Sequence, residues 1–127
     1  MKRIVIVVVN HDPLFLKMMQ ALLIGAAYEP ICLLASDNVF VQVREAQPAL
    51  MVLDIDIHHR DASWTLVERV HRDSATARIP VIICTGDIAF TRAKIADIRM
   101  YHYAVVNKPF EPDDLLGMIR EMTASSP

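Results

Sequence analysis

Cysteine is scarce in this chain: of 127 residues only Cys32 and Cys84 are cysteines, too few for the disulfide framework of a small secreted domain. Each falls in an apolar, strand-like run, where a free thiol serves as a small hydrophobe in a reducing compartment, so a cytoplasmic location is expected. Long hydrophobic runs are also missing. Although 54% of the residues are hydrophobic, the apolar stretches last only a few residues, which excludes a membrane-spanning helix. The stretch after Lys2 and Arg3 stops at Asn10 without a small-residue cleavage site, so it reads as a buried strand rather than a signal peptide. No cluster of Lys and Arg occurs and the formal net charge is −2, so the domain is not expected to hold a nucleic-acid duplex by itself. A chain of this length suits one domain with a real core.

What the sequence does contain is an alternation. Val- and Ile-rich runs take turns with segments of helical period, the pattern of βαβ units around a parallel sheet, and it repeats five times. Strands are expected at Ile4 to Val9, Pro30 to Ala35, Leu50 to Asp54, Val81 to Cys84 and Ala104 to Asn107, several apolar at nearly every position and so covered on both faces. Helices are expected at Pro13 to Ala27 behind an Asp12 cap, Asn38 to Ala46, Ser63 to Arg72, Ile88 to Met100 and Pro112 to Met122. The methionines at 18, 19, 118 and 122 have helical spacing and are expected in the core. Residues 1–122 are expected to form the domain, with 123–127 a small polar tail or the start of a linker.

In an open parallel sheet, chemistry gathers at the carboxyl ends of the strands. Here those ends carry Asn10-His11-Asp12, Asp54-Ile55-Asp56, Thr85-Gly86 and Lys108-Pro109-Phe110. An aspartate, a hydroxyl and a lysine in such places suit acyl phosphate chemistry: Asp54 as the nucleophile toward phosphorus, Thr85 as a donor to a phosphoryl oxygen, and Lys108 as the counter-charge. Balancing the transferring group calls for a divalent cation, Mg²⁺ or Mn²⁺, taking oxygens from Asp54, from the Asp56 backbone and from the loop holding Asn10 and Asp12.

Leu53-Asp54, Pro80-Val81-Ile82-Ile83-Cys84-Thr85-Gly86 and Lys108-Pro109-Phe110 resemble, in order and spacing, the signature stretches of response-regulator receiver domains. The likeness runs from Arg3 to about Met122 and takes in Asp61 in the loop after the phosphoacceptor position. It implies a flavodoxin-like α/β fold, doubly wound, with five parallel strands in the order 2-1-3-4-5 and five helices. It implies further that Asp54 accepts a phosphoryl group from a histidine kinase or phosphotransfer protein, that the proline after Lys108 follows a cis peptide bond, and that output passes to a partner or output domain through the face of helix four, strand five and helix five. A homodimer is compatible with this.

Three features depart from the family pattern. Asn10 and His11 stand where the family has an acidic pair, and imidazole nitrogen is a poor ligand for Mg²⁺, so a weakened metal site is expected unless Asp12 reaches in. The turn after Asp54 is Ile57-His58-His59, with Ala62 in place of the family's glycine. The aromatic switch position on strand five is Val105, with Tyr103 on the same strand face. Two other classes of function stay open: a receiver-like interaction module that signals without phosphorylation, and an aspartate-nucleophile phosphatase suggested by the Asp54-Ile55-Asp56 spacing.

Overall fold

The computed structural model describes residues 3–124. Three strands are buried along nearly their whole length: β1 (Val5–Asn10), β3 (Leu50–Asp54) and β4 (Val81–Thr85). Their β-branched side chains pack well on a pleated surface that has no solvent side. The flanking strands β2 (Glu29–Leu34) and β5 (Ala104–Asn107) are only partly covered, so the expectation of full covering holds for the sheet centre and not for its edges. All pairs are parallel and the order is β2-β1-β3-β4-β5.

Because side chains alternate across a strand, the sheet feeds two cores. On one face Val7, Val9, Met51, Leu53, Val81 and Ile83 meet α2 (Val39–Ala46), α3 (Arg60–Arg72) and α4 (Ile88–Met100). On the other, Ile6, Val8, Leu50, Val52, Ile82 and Cys84 meet α1 (Pro13–Gly25) and α5 (Pro112–Ala124). The two cysteines are free, Cys32 in β2 and Cys84 in β4. Among the described residues no helix is long and apolar enough to cross a membrane.

Several boundaries differ from the sequence reading, each for a local reason. β1 extends through Asn10 and β4 through Thr85, because both side chains are buried at the strand ends. Helix α1 stops at Gly25, since Ala27 takes a left-handed conformation (φ 68°) that no helix continues through. Helix α3 begins at Arg60, three residues early, so Asp61 lies in its first turn and not in a loop. Helix α5 continues to Ala124, with Thr123 Oγ1 donating to the Ile119 carbonyl at 2.8 Å, which removes two residues from the expected tail; 125–127 fall outside the described residues. Met19 is fully buried, but its neighbour Met18 is 46% exposed and fills no core.

Leu115 anchors α5 with no exposed surface. Its replacement, Leu115→Ala, is expected to cost about 2–5 kcal/mol in urea unfolding, the usual range for a large-to-small change at a packed position. A loss below about 1 kcal/mol would show that α5 is not packed as described.

Candidate functional site

The register sets the strand ends side by side. Val9 pairs with Leu53, Asp54 with Cys84 and Thr85 with Asn107, so Asn10, Asp54, Thr85 and Lys108 emerge along one edge of the sheet. Asp54 is 5% exposed. Its Oδ1 atom is paired directly with Lys108 Nζ and has no other hydrogen-bond partner among the described residues. A carboxylate this deep needs such a partner, since an unpaired buried charge is strongly unfavourable.

Lys108 is brought there by the loop after β5. Its N–H donates to the Thr85 carbonyl at 2.9 Å, and the Lys108-Pro109 peptide is cis, as the resemblance implied. Burial pulls the Lys108 ammonium below its usual range, and Asp12 pulls it partly back. Thr85 is 1% exposed, and its Oγ1 accepts from the Asp87 N–H at 3.0 Å, which leaves the hydroxyl proton free to donate.

The residues expected at the metal corner are not gathered into one cluster. Asn10 is buried beside Asp54 on the adjacent strand, but its Oδ1 accepts from the Asp12 N–H at 2.7 Å. Asp12 is exposed and caps α1, accepting from the Leu14 N–H at 2.9 Å, which is the capping role read from the sequence. His11 stacks on His59, centroids 3.6 Å apart. Burial is the larger cause holding the His11 pKa down, followed by His59, against a smaller opposing pull from Asp56. Among the described residues no group of three or more His, Cys, Asp or Glu side chains is arranged to hold a metal ion. The donor chemistry therefore fits Mg²⁺ in kind, with hard oxygens from Asp54 and the Asp56 backbone, and falls short in charge, with one carboxylate where a tight site uses more.

The Asp56 side chain has a role apart from the metal contact expected of its backbone. Its side chain accepts from the N–H groups of His58 (2.8 Å) and His59 (3.0 Å) and meets His59 Nδ1 at 3.0 Å. This Asx turn lies just ahead of α3 and fixes the loop that places His59 against His11. Arg60 and Asp87 reach across the mouth at 3.4 Å, a pairing between distant positions that no local pattern announces. Tyr103, expected on strand five, lies just before β5; it is in the core, and the half-buried Val105 packs against that same core. Burial, reinforced by Tyr101, pushes the Tyr103 hydroxyl up to about 12.

Residues 6–120 match the family model of the response regulator receiver domain. The chain belongs to that family. A curated protein of Porphyra purpurea, Probable transcriptional regulator ycf29, is 26% identical over 117 residues, covering 92% of this receiver domain and 55% of that protein, so the chain spans about half the length of the relative. The N-terminal domain of a response regulator receiver protein from Methanoculleus marisnigri is similar in structure (TM-score 0.71, 25% identity, 96% of this chain and 98% of that one). So is the receiver domain of the sensor histidine kinase PA1611 from Pseudomonas aeruginosa, which has magnesium coordinated in its active site cleft (TM-score 0.80, 14% identity, 98% and 100% covered). The flavodoxin-like fold with strand order 2-1-3-4-5 is that of the family, and the domain is a two-component signalling domain.

Partial burial pushes the Asp56 carboxyl up, but the hydrogen bonds from His59 and His58 outweigh it and hold the group below the usual carboxylate range. A lowered carboxylate pKa gives stability that is present above the ordinary carboxylate range and lost as pH falls through the lowered value. In a carboxyl-carbon NMR titration, His59→Ala is expected to move the Asp56 midpoint upward. An unmoved midpoint would show that His59 does not hold the carboxylate.

Proposed function

We propose that this receiver domain accepts a phosphoryl group on Asp54 from a histidine kinase or phosphotransfer protein and passes the change to a partner or output domain. The observation that supports this best is the Asp54–Lys108 ion pair beside the buried Thr85 hydroxyl. A carboxylate oxygen of Asp54 would form the new O–P bond as the bond from phosphorus to the donor's leaving group breaks. Lys108, already in place, would then neutralise the phosphoryl oxygens, and the free Thr85 proton would donate to one of them. Mg²⁺ or Mn²⁺, when bound by Asp54, the Asp56 backbone and Asn10, would offset the charge of the incoming group. With Asp12 committed to its cap and His11 to its stack, that affinity is weakened. Movement of Thr85, with Val105 on β5 or Tyr103 just before it, would reshape the face of α4, β5 and α5. Free Cys32 and Cys84 suit the cytoplasm.

The second reading is an interaction module that signals without phosphorylation, and the single-carboxylate metal corner supports it. The phosphatase reading loses support from Asp56, whose side chain is occupied with the start of α3 and so is poorly placed as a general acid.

Incubation with acetyl phosphate and Mg²⁺ or Mn²⁺ is expected to add about 80 Da by intact mass spectrometry, one phosphoryl group, and Asp54→Asn is expected to abolish the gain. Absence of the gain with both metals would reject the phosphoacceptor reading and leave the interaction module standing.

A further inference from the structure

Two spaces open beside the strand ends. On the β4 and β5 side lies a cleft lined by Asp56, Gly86 and Lys108. Between α2 and α3 is a cavity of about 440 Å³ lined by Asp54, Asn10 and His11 and reached by neither Lys108 nor Thr85. Its existence follows from the sequence. The elements that face each other here present small side chains, Ala35 and Ser36 after β2 and Ala62 and Ser63 on α3, so the volume that larger residues would fill stays open.

The position is the one where doubly wound sheets bind ligands, at the point between β1 and β3 where strand order reverses. The size falls within the range of small-molecule pockets, about 300–1,000 Å³. The walls are apolar, with Val9, Val39, Phe40, Leu53 and Leu66. Set into them are a few polar groups: the Asp54 carboxylate, the Asn10 amide and the Ser63 hydroxyl, whose residues are 5%, 4% and 6% exposed. Apolar walls with a few convergent polar groups are what a specific ligand site requires. At the open rim the exposed Arg69 lies over the Phe40 ring at 4.0 Å, which fixes a cation there, with the exposed Asp37 carboxylate elsewhere in the lining.

We propose that this cavity binds a small, flat organic acid: an apolar ring body against the partly exposed Ala35 and Leu66, an N–H or O–H donor directed at Asp54 or Ser63, and a carboxylate at Arg69. Inner groups that accept select a donor, and a rim guanidinium selects an anion. In this site Asp54 acts as the free carboxylate, so binding requires no phosphoryl transfer.

Indole-3-carboxylate, which carries all three features, is the probe. Titrated into the whole chain and followed by amide NMR, it is expected to give saturable shifts at Ala35, Phe40, Ser63 and Leu66. Ala62→Leu, a change at an exposed helical position that fills the cavity mouth, is expected to abolish them. Arg69→Ala is expected to weaken binding about tenfold, the loss of one charge-assisted contact. Absence of saturable shifts, or shifts unchanged in both variants while their spectra remain those of the folded chain, would overturn the proposal. No phosphoryl donor is present in this experiment, so its failure and failure of the phosphoacceptor reading are distinguishable.

Discussion

A carboxylate that is almost wholly removed from water must have its charge answered, and in this receiver domain the answer comes from the far side of the sheet. Asp54 ends β3 and Lys108 follows β5, two strands away. Their pairing requires β4 between them to end at the right level, with the Thr85 carbonyl accepting the Lys108 N–H and the Cys84 carbonyl accepting the Ile55 N–H at 2.9 Å. The order of strands, the register and the two-sided burial of the central strands can all be seen as the conditions under which one buried charge pair is affordable. The same pair underlies the phosphoryl transfer proposed for the domain, since a lysine that balances a carboxylate at rest can balance a phosphoryl group later.

The parts of this arrangement that were legible in the sequence are those governed by period and by local chemistry. Val- and Ile-rich runs located the five strands within a residue or so, because a strand covered on both faces has few polar positions to confuse the pattern. Asp54, Thr85 and Lys108 were legible because each lies at the end of such a run. Asp12 was legible as a cap from the Pro13 that follows it. Residues whose role depends on a partner far along the chain were not. His11 finds His59, and Arg60 finds Asp87, only once the loops after β1, β3 and β4 converge. The Asx turn made by the Asp56 side chain ahead of α3 has no periodic signature either. Met18 shows the limit of helical spacing, since α1 lies on the sheet by the stripe of Leu16, Met19 and Leu23 and leaves the adjacent position in solvent.

The corner near Asn10 is held by contacts between loops. Those after β1 and β3 meet through a stack of two imidazoles backed by the Asp56 carboxylate. Asn10 and His11 there also line the cavity between α2 and α3.

The central claim, that Lys108 holds the buried charge of Asp54, is tested most directly by a double-mutant cycle of Asp54→Asn and Lys108→Met, read by urea unfolding at neutral pH. The account expects a favourable coupling of about 0.5–3 kcal/mol between the two positions. Strictly additive effects would contradict it.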